Sequence, residues 1–372
     1  MKTLPLRTAT KWLYGAGDTG FSLSSTAIVV YFAVLYVLYD TAASVLYMPY
    51  YALTPELTRD YDERTSLTSY RMLFSIVGSL LIFAGAQSIT GSSVPENRDR
   101  FFLLGLVIAA VSVLSILITF FGTRERPRNM SESRPALLES LRAVKNNRPF
   151  LYGLGIYIAT WVAVDMMQAV LLFFVKYVLG REPLSYLILG SIFVSAVVTL
   201  PLWGFLSRRW GKRRTYIFGI LFWIVVQSVL VSLGQETPLW LILGLCVCAG
   251  VGVGAAHVLP WAMLPDSMEW DELHSGGRHE GMHYSIITLG KKIASAAAIP
   301  AVFFLFGFSG FEPNVAELPR SAVLAIRLLA GPIPAVLLVL GIILAARYPL
   351  TREAYRGVLE KLDSVKRGES DG

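Results

Sequence analysis

Long apolar segments alternate along this chain with short loops, and lysine and arginine residues are concentrated in every second loop. Each apolar segment from residue 103 onward holds enough residues to cross a bilayer core of about 30 Å. The pattern therefore predicts an all-α, polytopic membrane protein. The segments are Leu103–Phe121, Leu151–Val175, Leu184–Leu206, Tyr216–Leu233, Leu239–Leu264, Tyr284–Phe308 and Ala322–Ala346.

The basic loops predict the orientation of the chain. Lysine and arginine number seven in Gly122–Arg148, five in Arg208–Arg214 and six in Arg347–Arg367. The loops between them, Gly234–Pro238 and Ser309–Ser321, contain none and one. Because short basic loops stay on the cytoplasmic side, we expect a multi-pass protein of the plasma (inner) membrane with a cytoplasmic central loop and C-terminus.

The composition excludes an ordinary soluble domain. The chain is 54% hydrophobic and 16% charged, with a mean hydropathy of +0.56. Its net charge of +7 lies mainly in loops that flank the membrane. The expected macromolecular partner is therefore the lipid bilayer and not nucleic acid. We expect a monomer.

A polar segment divides the chain into unequal halves. We expect an incomplete N-terminal helix bundle over residues 1–121, a cytoplasmic central loop over 122–148, a six-helix bundle over 149–347 and a cytoplasmic tail over 348–372. The first half has room for only three or four spans. The six expected in the second half are about 150–176, 184–206, 215–233, 238–264, 282–308 and 322–346.

The shortfall lies in Phe21–Leu53, where Asp40 is the only charged residue. The segment is too long for one straight span and too short for a comfortable pair. Basic residues on both sides of it favour an even number of crossings. We therefore expect Trp12–Leu53 to form two short or strongly tilted helices that turn near Val30–Leu35, although no glycine, proline, asparagine or serine marks a turn there.

Three stretches of the sequence resemble one transporter family. They are Tyr14–Phe21 (YGAGDTGF), Met48–Arg71 (MPYYALTPELT, then DER and SYR) and Asp266–Gly281 (DSMEWDE, then GRHEG). Together they resemble the glycoside–pentoside–hexuronide:cation symporters, the melibiose permease group of the major facilitator superfamily. The resemblance implies a helix bundle of the major facilitator type. About ten transmembrane helices are expected, because the family's second and third helices have no counterpart here.

The resemblance also implies a function. It predicts a secondary active transporter of sugars or glycosides that works by alternating access and symport with H⁺ or Na⁺. No cofactor is expected besides that coupling cation. In the family, the second helix carries acidic residues that help bind the cation, so their absence predicts weak or uncoupled uptake.

Two alternatives to transport by symport are left open. The missing helices fit a degenerate, non-transporting relative or membrane sensor. A membrane enzyme would need clustered acid, base or metal groups, which only His274, His279 and His283 offer. A loop that enters a helix explains these histidines more simply, so we expect neither an enzyme nor a metal site.

Asp165 is the clearest candidate for a substrate-binding residue. It lies in the middle of an apolar span, where a charged side chain is costly and usually faces the bundle interior. Trp161 and Gln168, at −4 and +3, share its helical face. A carboxylate, an amide and an indole suit a polyol, which needs both hydrogen bonds and a stacking surface.

The resemblance adds three residues to this set. Lys292 matches the family's eleventh-helix lysine near the sugar and cation sites, Arg71 matches a fifth-helix arginine associated with the sugar pocket, and Tyr51 lies in the fourth-helix motif. An interfacial position is the alternative for Lys292 and for Arg71. We expect Lys291 to extend to the interface. Asp18 and Asp40 are weaker candidates for cation coupling.

Charged loops predict a gate on the cytoplasmic side. The segment Gly204–Arg214 resembles the superfamily's short loop between the second and third helices of each half, with Gly211 at a tight turn. The acidic cluster near residue 270 is expected to join the same charge network. The predicted gating residues are Arg208, Arg209, Arg213, Asp266, Asp271 and Arg278.

The alternating glycines of Gly250–Gly254 lie inside an apolar span. No strand is expected before them, so we interpret the glycines as a site of close helix packing and not as a dinucleotide-binding loop.

Overall fold

A computed structural model of the chain describes the backbone of residues 8–58, 60–90, 98–123, 142, 144–276, 279–312, 315 and 318–367. Within these residues the α-helices are α1 (Thr8–Leu57), α2 (Tyr61–Thr90), α3 (Arg98–Gly122), α4 (Arg148–Phe173), α5 (Ser185–Trp210), α6 (Lys212–Ser232), α7 (Leu239–Met263), α8 (Asp266–Ser275), α9 (Glu280–Phe308), α10 (Arg320–Ala330), α11 (Pro332–Ala346) and α12 (Arg352–Arg367).

The described residues are helical apart from turns and short loops, as the sequence predicts, and they contain no strand. A π-helical turn, Phe174–Val178, extends α4, and a short 3-10 helix, Glu182–Leu184, precedes α5. Among the described residues, eight helical stretches are long and apolar enough to cross a membrane. The central loop expected over 122–148 falls largely outside the described residues, so the domain boundaries stay predictions.

Helix α1 corrects the expectation of two short helices in the N-terminal segment. It runs without interruption for 50 residues, which is about 75 Å at the helical rise of 1.5 Å per residue. The local sequence explains this, because residues 27–39 contain no turn-forming residue and the next residues continue the helix. The total of about ten transmembrane helices stays a prediction, since the eight membrane-capable stretches belong to the described residues alone.

The chain forms two compact units, Met1–Tyr51 and Ala52–Gly372. In the second unit, α7 packs against α5 and α6, while α4 packs against α9 and α11. Helix α2 contacts α5 and α7. The largest side chains of the core, Trp203, Trp223 and Tyr216, lie at these helix contacts and are almost completely buried.

The glycines of α7 allow its close approach to two neighbouring helices. A Cβ atom at Gly250 would overlap the carbonyl oxygen of Ile192 in α5, and one at Gly252 would overlap Trp223 in α6. At Gly254, a Cβ would lie 3.0 Å from the Thr199 hydroxyl oxygen. The sequence-based interpretation of these glycines as a packing site is confirmed.

Replacing Gly252 with alanine should destabilise the protein by about 1–3 kcal/mol, because the added methyl group overlaps Trp223. Gly244→Ala is a matched control on the same helix, since no atom of the described residues lies within 4 Å of the methyl group that it adds. The control should be neutral or stabilise by up to about 1 kcal/mol. Thermal unfolding in lipid nanodiscs measures both, and equal melting temperatures for the two variants would contradict the packing described here.

Candidate functional site

Two pairs of side chains connect α4 and α9 in the middle of the second unit. Ser295 donates its hydroxyl to Asp165 Oδ2 at 2.5 Å. One helical turn earlier on both helices, Lys291 Nζ lies 4.3 Å from the centre of the Trp161 ring. The repeated spacing of four residues arises because two parallel helices present matching faces to each other. We call Trp161, Asp165, Lys291 and Ser295 the polar cluster.

A row of aromatic side chains leads away from this cluster. Tyr157 lies one turn before Trp161 on α4, with 6.0 Å between the ring centres, and contacts Trp261 of α7 edge-to-face at 4.9 Å. The guanidinium of Arg71, on α2, lies 4.5 Å from the Trp261 ring centre. A cation therefore lies over each end of the row, at distances that favour cation–π attraction.

The indole of Trp161 is held in place by a neighbouring histidine ring. His257 packs against it edge-to-face at 5.0 Å, and its own Nδ1 lies 2.9 Å from the carbonyl oxygen of Val253. The Trp161 Nε1–H is buried and meets no acceptor among the described residues. Leaving a buried donor without a partner costs about 1–3 kcal/mol, so an oxygen of a bound ligand would be stabilised here.

The structure brings together only part of the substrate set expected from the sequence. Asp165 and Trp161 share the cluster, and Arg71 reaches it through the aromatic row. The lysine against Trp161 is Lys291, which we expected at the interface; the role of Lys292 stays a prediction. Gln168 lies apart from the cluster, on the wall of an apolar cavity.

Three of the predicted site residues, Tyr51, Asp40 and Asp18, lie on α1 and belong to the first compact unit. The Tyr51 ring stacks on Tyr47 at 5.7 Å, and the Asp40 carbonyl accepts a hydrogen bond from the Ser44 hydroxyl at 2.6 Å. Asp18 lies in α1, but its side chain is outside the described residues. The roles of these three residues therefore stay predictions.

Ser295, His257 and Trp261 were not predicted from the sequence. The spacing of Ser295, four residues after Lys291, was visible in the sequence. Its contact with Asp165 joins residues that are 130 positions apart, and only the packing of α9 on α4 shows it.

A second group of charges joins α2 to α6 and α8. The guanidinium of Arg64 pairs with both carboxylate oxygens of Glu269, and Arg64 Nη1 lies 3.6 Å from Asp266 Oδ1. Lys212 Nζ donates to both oxygens of Asp266, at 2.7 and 2.8 Å. All four side chains are buried. We call Arg64, Lys212, Asp266 and Glu269 the ion network.

The turn between α5 and α6 positions Lys212. Gly211 is the only residue between the two helices, and its φ of 80° is a conformation that side chains other than glycine rarely adopt. The Tyr61 hydroxyl of α2 accepts the backbone N–H of Lys212 at 3.0 Å, and the Tyr61 ring lies 3.8 Å from Lys212 Nζ. Gly211 was correctly predicted to form a tight turn.

Helix α12 and the segment before it cover this network. Arg352 pairs with Asp62 of α2, and the Tyr355 ring lies 5.6 Å from Tyr61. Tyr348 donates its hydroxyl to the carbonyl oxygen of Met263 at 3.0 Å. Burial raises the pKa of the Tyr348 phenol well above its usual range, so this residue remains a neutral donor at physiological pH.

Of the residues predicted to form the gate, only some lie in or beside the ion network. Asp266 is in the ion network, and Arg213 donates to the carbonyl oxygens of Ala346 and Tyr348 at the end of α11. Arg208 and Arg209 are exposed. Asp271 is buried and pairs with His279, 2.9 Å from its Nδ1. Arg278 lies outside the described residues.

Arg64 was not expected in the gate, although it lies in one of the motifs that carried the family resemblance. Lys212 and Glu269 lie in the basic loop and the acidic cluster that were expected to form the charge network. Their pairing could not be read from the motifs, because Arg64 and Glu269 are 205 residues apart in the chain.

The described residues contain no group of three or more His, Cys, Asp or Glu side chains that could hold a metal ion. His279 pairs with Asp271, His283 Nε2 lies 3.3 Å from the Asn147 amide, and His274 stacks on Trp270. These contacts account for the three histidines as parts of the protein's own packing.

The family of this chain follows from its match to the sequence profile of a known family. The sequence profile of a family described as MFS/sugar transport protein matches residues 19–352. This chain belongs to the MFS/sugar transport family. It is therefore a multi-pass membrane protein of a transporter family, in agreement with the resemblance found in its sequence motifs.

Several relatives of this chain are named as symporters or carriers. An uncharacterized symporter of Synechocystis is 28% identical over 422 positions, which include 91% of this chain and 77% of the relative. The human sodium-dependent lysophosphatidylcholine symporter 1 is 27% identical, with 90% and 67% covered. A glucuronide carrier protein homolog of Escherichia coli is 28% identical, with 91% and 74% covered.

Breaking the ion network should open the end of the bundle where it lies. Ser207 is completely buried there, so a cysteine at this position, with Cys246 and Cys248 replaced by alanine, should react slowly with a water-soluble thiol reagent. Arg64→Gln leaves the buried Glu269 carboxylate without its charged partner, at a cost of about 3–5 kcal/mol. It should raise the labelling rate at least about tenfold.

Arg209→Gln is the matched control for this experiment, because Arg209 is an exposed arginine on the same turn as Ser207. It should leave the labelling rate unchanged. Equal rates for the Arg64 and Arg209 variants would show that the ion network does not close this end.

Proposed function

We propose that this protein is a secondary transporter that moves a sugar or glycoside together with a cation by alternating access. The observation that carries the proposal is the polar cluster, which places a carboxylate, a hydroxyl, an ammonium and an indole between α4 and α9. Asp165 and Ser295 can exchange hydrogen bonds with sugar hydroxyls, while the Trp161 ring offers a stacking surface.

The relatives support this proposal at the level of transport. The Synechocystis and human relatives are named as symporters, and the Escherichia coli relative is named for a glucuronide. A glucuronide carries a carboxylate besides its hydroxyl groups. Lys291 and Arg71, at the two ends of the aromatic row, supply positive charge for such a group.

Asp165 is our candidate for the coupling group. A proton or Na⁺ needs an anionic oxygen ligand within the membrane, and the Ser295 hydroxyl supplies a second oxygen beside this carboxylate. In this proposal Asp165 takes the role that acidic residues of the second helix have in the resembling family. The ion network then closes the cytoplasmic side, where the basic loops are expected.

The proposal predicts that Asp165→Asn and Lys291→Ala each reduce sugar uptake by about tenfold to a hundredfold. The reason is that a hydrogen bond to a charged group contributes about 1.5–3 kcal/mol. Uptake of labelled glucosides, galactosides and glucuronides into liposomes containing the full chain measures this. Lys176→Ala is the matched control, because Lys176 forms an exposed ion pair with Glu182, and it should keep normal uptake.

A comparison of Lys291→Ala with Lys292→Ala tests which lysine belongs to the site. We expect the larger loss from Lys291→Ala, because its ammonium group lies over Trp161. The family resemblance ranks Lys292 first. Normal uptake by Lys291→Ala, with a loss in Lys292→Ala, would contradict our placement of the sugar.

Coupling is tested separately from binding. With a Na⁺ or H⁺ gradient imposed on the liposomes, the wild-type chain should accumulate sugar above the external concentration, and Asp165→Asn should only equilibrate it. Equilibration without accumulation by the wild-type chain would mean uncoupled transport, as the missing helices suggest. No uptake at all would favour the non-transporting alternative.

A further inference from the structure

A buried group of side chains joins the end of α8 to the start of α9, and the proposed transport mechanism gives it no role. Asp271 of α8 and His279, the residue before α9, lie 2.9 Å apart, measured from Oδ2 to Nδ1. His283 is completely buried one turn into α9, and its Nε2 lies 3.9 Å from the same carboxylate oxygen. We call Asp271, His279 and His283 the histidine group.

The hydrogen bonds of His283 fix its charge. Its Nδ1 lies 2.9 Å from the carbonyl oxygen of His279, which can only accept, so Nδ1 carries the hydrogen. Nε2, on the other side of the ring, lies 3.3 Å from the amide nitrogen of Asn147. This amide has a defined orientation, because its oxygen accepts the backbone N–H of Phe150 and its nitrogen donates to the carbonyl oxygen of Ser267. Nε2 therefore accepts a hydrogen bond from Asn147, and His283 is neutral.

His279 is the member of the group that can take up a proton. Its Nδ1 donates to Asp271, and the two side chains are only 2% and 4% exposed. When His279 is neutral, the buried carboxylate has no cationic partner among the described residues, which is costly. A proton on Nε2 of His279 removes this imbalance and keeps the bond from Nδ1. Nε2 then carries an N–H that meets no acceptor among the described residues, but an unpaired buried N–H costs less than an unpaired buried ion.

The surrounding charges favour the same proton. Glu280, in the first turn of α9, is buried and acts on His283 as a second negative charge beside Asp271. The other charged side chains of α2, α4 and α8 near this group are paired in the ion network, placed over Trp261 or at least partly exposed. They are Arg64 and Glu269, Arg71, and Glu272, Lys145 and Arg148.

The bond between Asp271 and His279 connects the helices that carry the two sites described above. The acidic residues of the ion network lie in the first turn of α8, and Asp271 follows on the next turn. Helix α9 begins directly after His279 and carries Lys291 and Ser295 of the polar cluster. A change in this bond therefore acts on both helices.

We infer that Asp271 and His279 form a proton-binding site that fastens α8 to α9 while the proton is bound. Loss of the proton to water leaves the buried carboxylate uncompensated, so the joint loosens. A histidine changes its charge between about pH 5 and 8, so the end of the bundle at the ion network closes more tightly in acid and less tightly in alkali. This site is separate from the coupling group proposed at Asp165, and it does not depend on which molecule is transported.

The test follows a buried thiol on α8 as the pH changes. Ser267 is 1% exposed, and its carbonyl oxygen accepts the Asn147 amide. Ser267→Cys is made in the full chain, with Cys246 and Cys248 replaced by alanine, and the protein is placed in lipid nanodiscs. The rate of labelling by a water-soluble thiol reagent is divided by the rate for glutathione at the same pH, which corrects for the reagent. From about pH 5.5 to about pH 8.5 this ratio should rise at least about tenfold, because a charged hydrogen bond is lost.

Three substitutions in this background assign the response. His279→Asn keeps a neutral donor for Asp271 but cannot take up a proton, so its ratio should be high and independent of pH. Asp271→Asn removes the charge that holds the proton and should also abolish the pH response, which provides a second variant in case the first fails to fold. His274→Asn is the matched control, because His274 is an exposed histidine of the same helix that stacks on Trp270. It should keep the full response.

The background protein alone can overturn the inference, since a ratio that is flat or falls as the pH rises contradicts a proton that fastens the joint. A response that persists in both His279→Asn and Asp271→Asn would place the proton elsewhere. A response that disappears in His274→Asn would assign it to the exposed histidine. Sugar uptake is measured separately, so none of these results decides the proposed function.

Discussion

The buried ion network of Arg64, Lys212, Asp266 and Glu269 is the interaction on which the arrangement of the second unit depends. Removing charges from water costs several kcal/mol per ion, and only close pairing together with additional hydrogen bonds offsets that cost. Here the additional bonds come from the backbone, because Arg64 Nε donates to the Thr58 carbonyl oxygen at 3.0 Å and Lys212 Nζ to that of Ala262 at 2.8 Å. The network is therefore satisfied only when α2, the turn before α6 and α8 are all in place.

This dependence gives the molecule a contact that a transporter can break and restore. The network joins a helix that precedes the central loop to helices that follow it, and the other features lie in order along α4. Tyr157 belongs to the aromatic row, Trp161 and Asp165 to the polar cluster, and Leu171 to the cavity wall. From Tyr157 to Leu171 the helix rises about 21 Å.

Much of the fold could be predicted from the sequence because hydropathy and local chain geometry determine it. The helical spans, the turn at Gly211 and the packing glycines of α7 are all properties of short segments.

The single long α1 was missed, because charge in the flanking loops was given more weight than the absence of any turn-forming residue. Asp165 was identified from the sequence because a charged side chain inside an apolar span is energetically costly. Its partner Ser295 was not identified, since their contact depends on how α4 and α9 face each other. The same reason explains why Arg64 was not paired with Glu269 and why Lys291 was expected at the interface.

A double-mutant cycle between Arg64 and Glu269 tests most directly whether the ion network holds α2 to the rest of the unit. Arg64→Ala, Glu269→Ala and the double variant are compared by their free energy of unfolding in mixed micelles. Each single change should cost about 3–5 kcal/mol, because it leaves the other charge buried without its partner. The double change should cost much less than the sum of the two, with a coupling energy of at least about 2 kcal/mol. Costs that simply add would contradict the account, because they would show that the two residues contribute independently.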